Sequence, residues 1–317
     1  CFALSLVPAG QAADRYGPRP MIVAGALLAA VGFVPLVLTA DFAMTALARA
    51  VAGIGQGMLL AGTQAYVLRA ADPAARTQGT SIIVYGFNAG MIAGAALGSL
   101  LANSVGQPRV IVLGACLTAA VALYAAIFVP REAGAAREGA RGGLFRDMGR
   151  IVADLGFLRT LLLIGAPAKA VLTGVVVFAL PLLLSRKGYP PQDIGQIVML
   201  YALGVLLVTG RAARGVDRRG RSDRALFLGA ALSGIALAAI GVVDWPPAHG
   251  QIGALEPWLI AAGVLLLGAA HGFINAPVVT NVADLPLARE LGAGTVAATY
   301  RFLERAGHIA GPIIVGQ

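Results

Sequence analysis

Residues 10–19 read Gly10-Gln11-Ala12-Ala13-Asp14-Arg15-Tyr16-Gly17-Pro18-Arg19, and residues 217–221 read Asp217-Arg218-Arg219-Gly220-Arg221. Each turn follows an apolar run and precedes another, and Asp, Arg and Gly recur in matching places 203 positions apart. A repeat at that spacing is far more specific than either copy alone. Gly17 and Gly220 allow a tight reversal that a side chain would strain. Asp14 and Asp217 stand where a carboxylate can meet a helix N-terminus and neighbouring guanidinium groups. The second copy departs from the first at Ala213, four positions before Asp217, where the first has Gly10.

The runs that flank these turns set the fold class. Of 317 residues, 58% are hydrophobic and 12% charged, with mean hydropathy +0.81, against roughly 25% charged residues in a soluble domain. Residues 20–40, 50–68, 77–108, 110–130, 194–210, 225–243 and 257–283 contain no Asp, Glu, Lys or Arg, and most approach the ~20 residues that cross a bilayer. They are apolar on every side, whereas the strands of a membrane barrel alternate. The chain is therefore read as an all-α, polytopic membrane protein. Spans are expected at about 20–40, 43–68, 80–102, 110–130, 158–185, 194–210, 225–243, 257–280 and 292–317, after a short apolar remnant that begins at Cys1. The 42 glycines point to closely packed helices. Cys1 and Cys116 imply no disulfide framework and no metal site.

Orientation follows from the cations. Seventeen of the 24 Lys and Arg residues, from Arg15 to Arg289, fall in one alternating set of loops, and Arg109, Arg186 and Lys187 in the other. The first set is therefore cytoplasmic, and the net charge of +9 belongs to that face rather than to a nucleic-acid site. Residues 131–156 form the longest polar connection. Within the adjoining sequence, Leu144 to Leu158 makes a candidate amphipathic stretch, with Arg146 and Arg150 toward lipid headgroups; a solvated basic linker is the alternative.

The two turns resemble the Gly-x-x-x-Asp-Arg-x-Gly-Arg/Lys-Arg/Lys motif that each half of a major facilitator superfamily (MFS) transporter carries between its second and third spans. The resemblance covers nearly the whole chain. It implies a two-bundle fold with pseudo-symmetric halves, normally of twelve spans, here a fragment of about nine and a remnant that lacks the first and last. It also implies an N-terminal bundle at residues 1–130, a cytoplasmic linker at 131–157 and a C-terminal bundle at 158–317. Gly10, Asp14, Arg15, Gly17, Arg19, Asp217, Arg218, Gly220 and Arg221 would form gating latches that hold the outward-open state.

Arg49 lies within an apolar run and is followed by Gly53, Gly55 and Gly57. A buried Arg costs at least ~2.5 kcal/mol on the insertion scale. The stretch Arg49-x-x-x-Gly53-x-Gly55 resembles a fourth-span motif tied in the family to proton coupling or charge relay. Gln56, Thr63 and Gln64 continue roughly along that face. Gly90, Gly94 and Gly98 recur every four residues and are expected at a helix contact. They resemble part of the fifth-span motif of the antiporter branches, with Ala95 and Ser99 in place of its Pro and last Gly. Gly307, Gly311 and Pro312 make a related packing face in the last visible span.

That span also carries Arg301, Glu304, Arg305 and His308 at i, i+3, i+4 and i+7, on one helical face. A polar stripe on an apolar helix must face protein or water. These four are read as a proton-coupling or charge-relay network, against the alternative of a self-satisfied ion cluster. Lys169 with Thr173, and His271 with Asn275, form i, i+4 pairs within spans that the resemblance places around a central cavity. Gln56, Asn88, Lys169, Thr173, His271 and Asn275 are thus the candidate cavity residues.

The expected function is secondary active transport of a small organic solute by alternating access, in particular proton-coupled efflux of drug-like compounds from a bacterial inner membrane, by a monomer without cofactors. Its partners would be the solute, protons and the lipid bilayer. The alternatives are uptake of an organic anion, favoured by the excess of cations over acids in the spans, and a membrane sensor that moves no solute. No His-rich metal spacing, Ser-Gly elbow or phosphate-binding Gly-Lys-Ser/Thr loop points to an enzyme or to ATP-driven transport.

Overall fold

The computed structural model of the chain describes residues 1–38, 41–72, 75–131, 143–243 and 255–316. Residues 132–142 of the expected linker, with Arg137 and Arg141, lie outside the described residues. Every regular element described is helical. Among the described residues seven helical stretches are long and apolar enough to cross a membrane: Pro18–Leu38, Phe42–Ala70, Gln107–Phe128, Leu155–Arg186, Gln192–Arg219, Ser222–Val242 and Glu256–Ala283. By internal packing the chain forms two compact units. One comprises Cys1–Asp72, Ala93–Leu158 and Val282–Leu303, and the other Pro73–Ile92, Arg159–Asn281 and Glu304–Gln317.

The first unit begins with α1 (Phe2–Tyr16), α2 (Pro18–Phe33), the single turn α3 (Pro35–Leu38) and α4 (Phe42–Ala70). Gly17 joins α1 to α2 at φ 92°, and Pro18 opens α2, where its fixed φ suits a first helical position. Small residues bring α2 and α4 together: a Cβ added at Gly55 would lie 2.3 Å from the backbone nitrogen of Ala29, and one at Gly32 2.5 Å from that of Ala52. α5 (Arg76–Val105) contributes its later part to this unit, followed by α6 (Gln107–Phe128). Leu117, Leu123, Tyr124 and Phe128 of α6 are exposed, as lipid-facing side chains must be. α7 (Leu144–Ala153) stops at Asp154, whose carboxylate accepts from the backbone N–H of Phe157 at 2.8 Å and so caps α8 (Leu155–Thr160). α15 (Pro286–Leu291) and α16 (Ala293–Leu303) complete the unit.

The stretch Leu155–Arg186, which belongs to the second unit from Arg159 on, is helical throughout but unevenly wound. π-helical turns at Leu161–Gly165 and Leu172–Ala179 flank α9 (Ala166–Val171), and α10 (Leu180–Arg186) follows. Then come α11 (Pro191–Arg219), α12 (Ser222–Val242), α13 (Glu256–Asn275), α14 (Pro277–Ala283, its end counted with the first unit) and α17 (Arg305–Val315). Val176, Leu180, Leu184, Val205, Ile240 and Leu267 belong to its apolar core.

Two expectations about helix ends change. The span expected at 194–210 runs on to Arg219, so Arg211, Arg214, Arg218 and Arg219 sit on α11 rather than in a loop. Arginine is a good helix former, and the helix ends only where Gly220 takes φ 60°. The span expected at 292–317 is split by a one-residue break at Glu304 into α16 and α17.

Candidate functional site

The two Asp-Arg turns do the same thing. Asp14, near the end of α1, accepts from the backbone N–H groups of Gly294 (3.3 Å) and Thr295 (2.6 Å) and from the Thr295 hydroxyl (2.8 Å). Gly294 and Thr295 are the second and third residues of α16, whose N–H groups have no partner inside the helix. The residue before α16 is Gly292, which has no side chain with which to cap it. Its φ of 98° suits glycine, and a Cβ there would meet the Asp14 carboxylate at 2.2 Å. Asp14 therefore caps α16 in trans. Asp217 does likewise for α5, accepting from the backbone N–H groups of Thr77 (3.1 Å) and Gln78 (2.9 Å) and from the Gln78 side-chain amide (3.1 Å). Thr77 and Gln78 are again the second and third residues of their helix, and Ala75, before it, has no polar side chain.

The flanking residues differ between the copies. Arg69, in the last turn of α4, pairs with Asp14 at 3.1 Å and also donates to its backbone carbonyl at 2.9 Å. Gly10 lets α1 approach α16, since a Cβ there would lie 2.5 Å from that of Ala298; Ala213, at the matching place in the second turn, is fully buried with its methyl accommodated. Arg19 donates to the Ala126 carbonyl at the end of α6. Arg15 lies over the Tyr16 ring at 5.3 Å. Arg218, Gly220 and Arg221 are exposed.

The helix α7 fastens onto the same place. Its Asp147, almost fully buried, accepts from Gln11 of the first turn at 3.0 Å, and its Arg150 pairs with Glu290, two residues before Gly292, at 2.6 Å. Ile151 is completely buried on this side, while Phe145 is exposed on the other. Arg150, expected at lipid headgroups, is thus engaged by a carboxylate. Because the Arg150–Glu290 pair is exposed, Arg150→Ala is expected to lower the unfolding free energy by no more than about 1 kcal/mol. Asp147→Ala strands the Gln11 amide and should cost more, about 1–3 kcal/mol; thermal unfolding in detergent compares the two.

Inside the helices the structure redistributes the expected residues. Arg49 and Gln56 are exposed on α4, whose buried positions include Ala48, Ala52, Gly55 and Ala61. The burial expected for Arg49 is corrected accordingly, because the apolar run marks the helix but not the face it presents to protein. The glycines after Arg49 serve packing: Gly53 and Gly57 abut the first turns of α1, and Gly55 abuts α2. Asn88 is buried and donates to the Val84 carbonyl of its own helix at 2.8 Å. Among the described residues a Cβ at Gly90, Gly94 or Gly98 would meet nothing within 4 Å, so this face, expected at a helix contact, has no such contact there. At Gly307 and Gly311 a Cβ would lie 2.1 Å from the Ala166 carbonyl and 2.3 Å from that of Ala170, a close seam between α17 and α9.

Lys169 is carried on α9 between the two π-helical stretches, a winding found often at functional sites. Its ammonium donates to the Asn275 side-chain oxygen at 3.2 Å, and Thr173 donates to the carbonyls of Lys169 (3.0 Å) and His308 (3.1 Å). His271 is buried and bonded to Tyr201 on α11 at 2.7 Å. Glu304, at the break between α16 and α17, is buried, and Arg301, Arg305 and His308 are partly so. The break divides these four between the two units, Arg301 in the first and the others in the second. A separate apolar groove of about 540 Å³, between Ser5, Pro8 and Ala12 of α1 and Met21, Ile54 and Met58, includes none of the expected site residues. Sequence reading missed Arg69, Gln78, Gly292, Thr295 and Tyr201. For Gly292 and Ala75 the signal was present, as helix starts with no capping residue of their own.

Helices of spanning length, together with the starts of α5 and α16 that a repeated acidic turn caps in trans, make this a polytopic helical membrane protein. The family model described as Major Facilitator Superfamily matches residues 1–312, and the chain belongs to that family. It is 28% identical over 233 residues to the multidrug resistance protein MdtH of Aeromonas hydrophila, covering 73% of this chain and 57% of that protein. MdtH of Photorhabdus laumondii is 25% identical over 234 residues, covering 74% and 57%. The chain thus spans less than two thirds of the length of these relatives. Among solved structures, the human organic anion transporter MFSD10 (TETRAN) aligns with a TM-score of 0.77 at 22% identity, over 99% of this chain and 74% of that one. The Escherichia coli fucose:proton symporter FucP aligns at 0.69 and 13% identity, over 99% and 80%. At these identities the two structures share the fold with this chain.

Proposed function

We propose that the protein is a proton-coupled exporter of drug-like organic compounds, a carrier rather than an enzyme, acting as a monomer in a bacterial inner membrane. Two pseudo-symmetric bundles, residues 1–130 and 158–317 joined by the linker 131–157, would alternate access to a central site. The observation that carries this reading is the pair of trans caps. Each is a charge-assisted contact at a helix start with no cap of its own, so it can form in one conformation and break in another, as a gate requires. The bacterial relatives described as multidrug resistance proteins support the drug-like substrate. Arg49, exposed on a spanning helix, and buried Glu304 are the residues assigned to proton coupling.

The second reading, uptake of an organic anion, draws on the placement of Lys169 beside Asn275 and on the solved neighbour described as an organic anion transporter. Both readings are tested with the intact protein in proteoliposomes, under an imposed pH gradient, with ethidium as the cationic probe and fluorescein as the anionic one. Export predicts uphill movement of ethidium and its loss, about tenfold or more, in Arg49→Ala and Glu304→Gln, an effect of at least about 1.4 kcal/mol. Normal uphill rates in both variants would remove them from the coupling path. Accumulation of fluorescein alone would favour uptake, and binding without flux of either dye would favour a sensor.

A further inference from the structure

The seam between α11 and α13 is closed by backbone contact. A Cβ at Gly268 would lie 2.0 Å from the Tyr201 carbonyl oxygen, one at Gly204 2.3 Å from that of Leu265, and one at Gly272 3.2 Å from that of Val205. Into this seam the protein places two polar rings. Tyr201 is 6% exposed and His271 2%; their rings meet edge to face at 5.5 Å and 87°, and the Tyr201 hydroxyl is bonded to His271 Nδ1 at 2.7 Å. The other ring nitrogen, Nε2, is buried with no hydrogen-bond partner among the described residues.

Neither neutral tautomer cures this. With the proton on Nε2, a donor has no acceptor; with the proton on Nδ1, an acceptor has no donor. A buried polar atom left in that state calls for an explanation, and aliphatic packing would have been served by leucine. The charged and titratable groups on the adjoining elements are few. α11 brings Tyr201 to this level and carries Asp193 near its start and Arg211, Arg214, Asp217, Arg218 and Arg219 toward its end. α12 has Asp223 and Arg224, both in its first turn. α9 has Lys169, bonded to Asn275 one turn along α13 from His271. Glu256, at the far end of α13, is paired with Lys187 at 2.9 Å.

We infer that His271, paired with Tyr201, is a proton-accepting group of the carrier, loaded only in a conformation that opens the α11–α13 seam to water. One proton from water converts the neutral imidazole to imidazolium. Nδ1–H then donates to the Tyr201 oxygen, and Nε2–H needs an acceptor that the closed seam does not offer and water does. No other bond changes, and the proton returns to water by the reverse route. Proton binding and seam opening become one event, because a charge held in the closed seam would have nothing to solvate it. This inference rests on the proton-coupled reading above and assigns the coupling ion a place on it.

The test needs no transported solute. The intact protein is labelled with 15N-histidine and placed in phosphatidylcholine bilayers; the chain has 3 histidines, and His271 is assigned as the signal that His271→Gln removes or, should that variant fail to fold, that Tyr201→Phe shifts. That signal should be neutral at about pH 8 and show imidazolium at about pH 5. A cysteine introduced by Val205→Cys, whose backbone carbonyl faces Gly272 across the seam, in a chain with Cys1 and Cys116 replaced by serine, should react with a water-soluble maleimide about tenfold faster at the lower pH once the rate is corrected for thiolate fraction. His271→Gln, or Tyr201→Phe in its place, should alter that acceleration. A His271 signal neutral at both pH values, or a corrected rate that ignores pH, would overturn the assignment. Failure of ethidium to follow a pH gradient, with these signals intact, would instead sink the export reading and leave the proton site standing.

Discussion

Asp14→Ala is expected to reduce ethidium export about tenfold or more and to lower the unfolding free energy in detergent by about 3 kcal/mol. One carboxylate serves the Gly294 and Thr295 N–H groups, the Thr295 hydroxyl and the Arg69 guanidinium. Hydrogen bonds to charged groups contribute about 1.5–3 kcal/mol each, and the losses overlap because the donors are neighbours. Arg69 and Asp14 have side chains 21% and 15% exposed, so the stranded guanidinium is rehydrated only in part. Asp217→Ala should be milder, since among the described residues no guanidinium is bonded to Asp217 and its helix can recruit water at the start. Equal melting curves for Asp14→Ala and wild type would show that the trans cap adds nothing.

Gly268→Val should abolish recovery of folded protein. The added Cβ would sit 2.0 Å from the Tyr201 carbonyl oxygen. That oxygen belongs to the backbone of α11 and cannot swing aside as a side chain does, so the helices must separate along a seam that Gly204 also closes. Overpacking into a rigid contact costs about 1–3 kcal/mol, and a backbone clash lies at or beyond the upper end. Gly90→Ala is the matched control: its Cβ meets nothing within 4 Å, and the change should be neutral or stabilising by up to about 1 kcal/mol. Monodisperse yield on size-exclusion chromatography compares them. A normal yield of Gly268→Val would mean that α11 and α13 are less closely opposed than described.

These two cases show what could be read from the chain. Charge-free runs and the repeated Asp-Arg turn sufficed for the membrane class and the family, because hydropathy and a 203-residue repeat are properties of the sequence itself. That Asp14 would seek a helix start was also legible. Which helix start was not, because Thr295 lies 281 positions away and only packing joins them. Glycine spacing misled: Gly90, Gly94 and Gly98 have the regular interval of a contact face yet meet nothing, while Gly204 and Gly268, in less regular company, lie against backbone. A glycine's spacing tells which face it shares, not what stands opposite. The exposure of Arg49 was not legible for the same reason, since an apolar run fixes depth in a membrane but not direction around the helix. His271 and Asn275 were found by spacing, but the partner that explains His271, Tyr201, sits on another helix.

The uneven winding of Leu155–Arg186 has a mechanical consequence. A one-residue π insertion that moves along a helix shifts only the residues it passes, by about 100° around the axis and about 1.5 Å along it, and leaves the residues on either side in register. With such turns on both sides, the short α-helical piece that bears Lys169 has the winding that a shaft on two swivels would need. Such a shift would turn its ammonium about the axis while the outer ends of the span stay anchored.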